Sequence, residues 1–314
     1  MGEFGMTQGG FERRTLNSPT GAQLALHECA AKDGPPRAII HINHGLAEHA
    51  ARYEKFATLL SARGFHVCAH DHRGHGATIA HDGAPRRYAD VDGWNKVVAD
   101  VAAVEADLRL KFPGIPVFVF GHSMGGVIAL NHALIQSEAI AGVAVWNSNL
   151  FGPIGLMKFV LGLESLVGGD HKPSALLDML SFKTWDKKFG DERPHSAWLS
   201  RDLDQVDAYV ADPLCGWPAQ ISLWKDFVGG MAFGADSDNL KSVRKDMPFH
   251  LIGGSNDPAT EGGKAMKTLA KHLKKARFSD VSIEILKDFR HETLNEIGGE
   301  AEMTKFADWV EARL

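Results

Sequence analysis

Gly121-His122-Ser123-Met124-Gly125 joins an apolar run, Val117–Phe120, to an apolar-periodic stretch that begins at Val127. A serine flanked at two residues on either side by glycine suits a sharp strand-to-helix turn, because a side chain at those positions would strike the neighbouring elements. The hydroxyl then stands clear of the sheet, and the N–H of the next residue, Met124, points where an oxyanion would form. The chemistry so enabled is nucleophilic attack on a carbonyl. A glycine-rich turn that merely contains serine has the same local pattern; the strand before it and the helix after it make Ser123 the expected nucleophile.

A serine hydroxyl attacks only when a neighbouring base removes its proton, and neutral imidazole suits that role near pH 7. A carboxylate then fixes the imidazole tautomer and stabilises the imidazolium. The elements that must position these groups alternate along the chain. Strands are expected at Ala22–Cys29, Ala38–Asn43, Phe65–His70, Val117–Phe120 and Ile140–Trp146, with helices at Arg52–Ala62 and Trp94–Lys111. In the latter, Trp94, Val97, Val98, Val101, Val104 and Leu108 share one face, so that face is core. Alternation resumes with a strand at Phe249–Gly253, a helix at Lys264–Lys275, a strand at Val281–Leu286 and a closing helix at Glu300–Leu314. Such alternation implies a mostly parallel sheet with helices on both faces.

Parallel strands end on one edge, and ligands bind there. Partners of Ser123 should therefore follow strands. Asp257 follows the strand at Phe249–Gly253, and His291 follows the last strand. Asp288 is a rival acid, but it lies too close to His291 in sequence for the separate-loop geometry the roles require. The second oxyanion donor should come from the loop after an early strand. His44-Gly45-Leu46-Ala47-Glu48-His49 follows Ala38–Asn43, and the Leu46 N–H is the natural donor beside that of Met124.

With 314 residues, 44% hydrophobic and 23% charged, the chain has ordinary globular composition. Its net charge of -5 gives no basic surface for nucleic acid. The three cysteines, Cys29, Cys68 and Cys215, are scattered and odd in number, which argues against a disulfide framework and for a reducing, cytoplasmic setting. No apolar run is long enough to span a bilayer and no signal-peptide core is evident. Residues 1–17 are expected to be a leader or N-terminal extension, with Met1-Gly2-Glu3-Phe4-Gly5 preceding a second methionine, Met6. The sheet core would comprise 18–150 and 247–314. Between them, 151–246 loses the alternation, with apolar helix-like pieces and a polar, turn-like stretch at Asp186–Pro194. That stretch of chain is expected to be an inserted helical cap. Its apolar residues include Leu156, Phe159, Val160, Leu161, Leu163 and Leu166. Phe159 and Leu163, with Trp146 at a strand end, are the expected substrate contacts; the same apolar stripe could equally be the cap's own core or touch a membrane surface transiently.

His44-Gly45-Leu46-Ala47-Glu48-His49 with Arg52-Tyr53, Asp71-His72-Arg73-Gly74-His75-Gly76, Gly121-His122-Ser123-Met124-Gly125-Gly126, and His291-Glu292 with Leu294-Asn295-Glu296 closely resemble the monoacylglycerol lipase and lysophospholipase family. The cap pieces Trp198–Asp202 and Asp212–Gly216 resemble its bacterial members. The resemblance spans nearly the whole chain outside the N-terminus. It implies an α/β-hydrolase fold with an eight-stranded, mostly parallel sheet, a mobile cap, and ester hydrolysis without a cofactor or metal. It assigns Ser123, Asp257 and His291 to a triad, and Leu46 and Met124 to the oxyanion hole. The expected substrate is a small-molecule ester with an acyl chain. The chain departs from the family at Trp146-Asn147-Ser148-Asn149, where members usually carry small residues and proline.

Other readings compete. The same triad would serve a general carboxylesterase, a thioesterase or a peptidase. Histidines are abundant, and His70-Asp71-His72-Arg73-Gly74-His75 with His41, His44 and His49 raises a metallohydrolase, although the His-x-His-x-Asp-His pattern of dinuclear sites is lacking. An α/β-hydrolase scaffold used only for binding is the last alternative.

Overall fold

The computed structural model describes residues 10–190 and 195–314. The expected leader Met1–Gly5 and the 191–194 part of the expected polar stretch lie outside them. The strands are β1 (Glu12–Asn17), β2 (Ala22–Cys29), β3 (Ala38–Asn43), β4 (Phe65–His70), β5 (Ile79–Ala80), β6 (Val117–His122), β7 (Gly142–Trp146), β8 (Phe249–Gly254) and β9 (Val281–Leu286). The helices are α1 (Glu54–Ala62), α2 (Gly93–Lys111), α3 (Met124–Ile135), α4 (Ile154–Gly168), α5 (Ala175–Leu180), α6 (Phe182–Phe189), α7 (Leu203–Ala211), α8 (Ile221–Ala235), α9 (Lys264–Lys275) and α10 (Gly299–Glu311).

Eight strands run in the order β1-β2-β4-β3-β6-β7-β8-β9, and the two-residue β5 adds a ninth by pairing with β2. β3, β4, β6, β7, β8 and β9 are parallel neighbours, while β1 and β2 are antiparallel. Strands buried on both faces carry apolar residues in both directions. In β6, Phe118 and Phe120 pack with α1 and α10, whereas Val119 joins the core beneath α2 and α3. Each such buried side chain contributes about 1.5–3 kcal/mol. α3 is buried from Met124 to Leu134 because α2 and α8 flank it and the sheet floors it. Its apolar residues on every side are those of a fully enclosed helix. This is the α/β-hydrolase arrangement.

Two elements depart from expectation. β1 falls within the stretch read as an extension. Its sequence, Glu12-Arg13-Arg14-Thr15-Leu16-Asn17, shows little apolar alternation because an edge strand is held mainly by backbone pairing, here with β2. Arg14 also bonds Glu28 of β2 at 2.8 Å. α6 occupies part of the expected polar turn, since Phe182, Trp185 and Phe189 fall at helical spacing and pack around Trp198. Between β7 and β8 the described residues form helices α4–α8 and no strand in the sheet. α8 packs against both α2 and α3, which anchors this helical stretch to the sheet layer; α4 lies on α8. No described helix is long and apolar enough to cross a membrane.

Candidate active site

Ser123 sits between β6 and α3 with φ at 56° and ψ at -120°. A non-glycine residue there is strained and persists only where its surroundings fix it. They do so by close approach. A Cβ on Gly121 would stand 2.1 Å from the Gly125 carbonyl oxygen, and one on Gly125 would stand 2.1 Å from the Asn43 carbonyl oxygen. The Ser123 N–H is bonded to the Trp146 carbonyl at 2.9 Å, and the Ser148 hydroxyl donates to the Ser123 carbonyl at 2.7 Å. The turn holds only with glycine on both sides.

His291, in the loop after β9, places Nε2 2.9 Å from Ser123 Oγ. Its Nδ1 is 3.0 Å from Oδ1 of Asp257, in the loop after β8. Asp257 is fully buried with its acceptor positions filled. Oδ1 also accepts from the Ala259 N–H at 2.9 Å, while Oδ2 accepts from Thr260 Oγ1 at 2.8 Å and Asn147 Nδ2 at 3.0 Å. Burial works against the charged carboxylate, but His291 and the donors from Asn147 and Thr260 outweigh it and hold Asp257 below the usual range. Asp288, by contrast, is exposed on the turn after β9.

Leu46 and Met124 border the cavity in front of Ser123, and among the described residues neither N–H is bonded to another group. The loop carrying Leu46 is fixed from behind by Glu48, which accepts from the Gly45 N–H at 2.5 Å and from the Tyr53 hydroxyl at 2.9 Å. Arg52 bonds Glu48 at 2.6 Å and grips both oxygens of Glu292, next to His291, at 2.6 and 2.7 Å. His122 completes the connection by donating Nε2–H to the His291 carbonyl at 3.0 Å, with Nδ1 3.5 Å from Glu48. Burial opposes both carboxylates' charges, yet Arg52 keeps Glu48 and Glu292 ionised; burial likewise opposes a charged His122, yet Glu48 raises it above its ordinary value. The loops of Leu46, Ser123 and His291 therefore form one charge-compensated unit. Glu48, Arg52 and Glu292 were quoted only as parts of motifs; their mutual pairing spans 240 positions and no local spacing reveals it.

A cavity of about 380 Å³ opens from Ser123 and His291 beneath the α4–α8 segment. Met157 and Val160 of α4, Leu177 of α5 and Trp224, Phe227 and Met231 of α8 form its apolar walls. The three expected substrate contacts lie elsewhere. Trp146 is fully enclosed in β7, packed against Phe120 and Phe306, with its Nε1–H bonded to His250 at 3.0 Å. As the last residue of β7 it points into the layer of α1 and α10, not toward the strand-end crevice. Phe159 and Leu163 stand on the outer side of α4, 63% and 47% exposed. α4 is apolar all round, so composition could not tell its cavity face from its outer face.

The histidine-rich stretch forms a stack of buried rings. His44 lies 4.4 Å from His72 and 5.1 Å from His75, and His41 Nε2 is 3.0 Å from His70 Nδ1. Their nitrogens do not converge on one point; among the described residues the one trio of metal-type donors is His49, Asp212 and Cys215. There His49 Nε2 bonds Asp212 at 2.8 Å, and burial pushes the Cys215 thiol up, which keeps it protonated. The trio ties the Leu46 loop to the helical insertion.

Similarity to known proteins agrees with this geometry. Human monoglyceride lipase is 33% identical over 181 residues, covering 58% of this chain and 53% of that protein. The monoacylglycerol lipase of Mycolicibacterium smegmatis is 34% identical over 194 residues, 62% of each chain. The chain thus spans between about half and two thirds of these relatives' length. Among solved structures, a thermostable carboxyl esterase from Bacillus coagulans superposes with a TM-score of 0.87 at 23% identity, covering 96% of this chain and 98% of that one. The family model described as serine aminopeptidase, S33, matches residues 34–298. With its nucleophile turn, strand-end partners and all the parallel strands inside that range, the chain belongs to this serine aminopeptidase S33 family of α/β-hydrolases.

Proposed function

We propose that this chain is a serine hydrolase that cleaves carboxylic esters of lipid-like substrates, of monoacylglycerol or lysophospholipid type, through an acyl-enzyme on Ser123. The observation that carries the reading is the line Asp257–His291–Ser123 at hydrogen-bond distances, opening into an apolar cavity. His291 Nε2 takes the hydroxyl proton as Ser123 Oγ attacks the ester carbonyl, and Asp257 stabilises the imidazolium. The Leu46 and Met124 N–H groups receive the oxyanion. His291 then returns the proton to the departing alkoxide, and a water attacks the acyl-serine by the same route. Every proton transfer has a side chain in place.

Residues 18–150 and 247–314 act as the hydrolase core, and 151–246 as a cap over the acyl site. The acyl chain lies along Met157, Val160, Trp224 and Phe227. The names of relatives such as human monoglyceride lipase support the substrate class. Phe159, Leu163, Leu166 and Val167 expose apolar surface on the outer cap, which suits transient contact with a lipid surface. Three buried, free thiols suit a reducing, cytoplasmic setting.

Hydrolysis of a long-chain 1-monoacylglycerol and of p-nitrophenyl acetate by wild type and Ser123→Ala tests this. The variant should fold and lose several orders of magnitude on both esters, and a serine-directed phosphonate should label wild type once, at Ser123. More than about a tenth of activity left in Ser123→Ala would overturn the nucleophile. Acetate turnover without monoacylglycerol turnover would overturn the lipid substrate.

A further inference from the structure

Asn147 follows β7 where family members usually carry a small residue, and its side chain reaches the loops after both β8 and β9. It is 1% exposed with φ at 50°, a left-handed conformation that asparagine tolerates better than most residues. Its N–H is bonded to the Ile252 carbonyl of β8 at 2.8 Å, which fixes the backbone. The amide Nδ2 donates to Asp257 Oδ2 at 3.0 Å and lies 3.4 Å from the Arg290 carbonyl. On the other side Oδ1 accepts from the Thr293 hydroxyl at 3.0 Å. The Asp257 carboxylate fixes which end of the amide faces it, because a flipped amide would set oxygen against carboxylate, and the Thr293 hydroxyl then holds the amide oxygen.

We propose that Asn147 is a positioning residue for the reaction. It orients Asp257 so that Oδ1 faces His291, and through Thr293 and Arg290 it holds the His291 loop at the matching distance. Without Asn147 the Asp257 Oδ2 would keep only the Thr260 hydroxyl, and the carboxylate could then pivot about its side-chain torsions away from the imidazole. Thr260 alone fixes Oδ2 from within the same loop; Asn147 fixes it relative to the sheet. The inference rests on the triad reading above. Other groups facing His291 are the His122 ring at 4.9 Å, the Trp198 ring at 4.9 Å and the neighbouring Glu292 held by Arg52. None is bonded to the Asn147 side chain.

The test uses Asn147→Gly, which accepts the positive φ, and Thr293→Val, which only releases the amide. Asn147→Gly should lower kcat about tenfold to a hundredfold with KM within about twofold. The acid limb of kcat/KM should move to lower pH, because a carboxylate turned away from the ring stabilises the imidazolium, the inactive form of the base, less well. Thr293→Val should show the same change at a few-fold size, and it decides the matter alone if Asn147→Gly does not fold. Activity within twofold of wild type in the folded variants would overturn the proposal. So would a loss that tracks thermal stability while the acid limb stays in place, since that marks a space-filling residue. Ser123→Ala measured alongside separates the two readings: if it is active the triad fails, and if it is inactive while Asn147→Gly behaves as wild type, only this inference fails.

Discussion

Three loops converge on the Ser123 hydroxyl, and the charges behind them decide what each side chain does there. Asp257 and Asp288 are the two candidate acids for His291, yet only one is built as a partner. Asp257 is fully buried and accepts from His291, Ala259, Thr260 and Asn147, whereas Asp288 is exposed. Asp257→Asn should therefore lower kcat by about 10⁴, because an amide there holds the imidazole in the wrong tautomer. Asp288→Asn should stay within twofold of wild type. Steady-state turnover of a chromogenic ester checks both, and exchanged phenotypes would reassign the acid. The rule that partners follow parallel strands made Ser123, Asp257 and His291 readable from sequence. Asn147 was visible only as a departure from family pattern. Its task depends on a left-handed turn that brings its amide to a carboxylate 110 positions away, and no residue type announces that.

At the scale of elements, α4 shows how far composition reaches. It is apolar on every side, yet only Leu161 is buried. Met157 and Val160 turn toward the cavity, while Phe159, Leu163, Leu166 and Val167 face outward. Val160→Asp should cut turnover of long-chain esters about a hundredfold and spare acetate esters, since each excluded methylene costs about 0.8 kcal/mol. Phe159→Asp should leave turnover of monomeric esters unchanged and weaken sedimentation with lipid vesicles. Equal losses on short and long esters in Val160→Asp would mean a folding defect instead of a lost acyl contact. The parallel strands were legible because burial on both faces leaves long apolar runs in the chain. β1 was not, since an edge strand needs backbone partners more than apolar side chains. α6 was missed because its stripe of Phe182, Trp185 and Phe189 is diluted by lysines and an aspartate. Which side of α4 faces the cavity depends on how α8 docks on α2 and α3, and that is a tertiary fact.

Over the whole molecule, the excess of histidine becomes a statement about pH. His41, His44, His70, His72 and His75 form the buried stack beside the Leu46 loop, and His250 lies against Trp146 and Trp309. Burial pushes all six below the ordinary value of 6.5, His75 and His250 to about 3. His44 Nε2 accepts the His72 N–H at 3.0 Å, so protonating it would also break a backbone bond. A depressed histidine is neutral in the folded chain while its unfolded counterpart takes up a proton below about 6.5. Its stabilisation is thus complete above that pH and declines as pH falls toward the folded value. His75 and His250, held at about 3, each contribute about 1.4 kcal/mol to that decline one unit below 6.5. Together the six should lower Tm between pH 7.5 and 5.5. The carboxylates held low by their partners, Asp71 and Asp257 among them, add their loss only below about pH 4, so the two effects separate on the pH axis. His72 offers the cleanest check, since neither ring nitrogen has a hydrogen-bond partner among the described residues. His72→Phe keeps an aromatic ring in place and removes the titration. Its Tm at pH 7.5 should equal or exceed that of wild type, and its fall to pH 5.5 should be smaller by a few degrees. A slope identical to wild type would place the acid sensitivity elsewhere in the molecule.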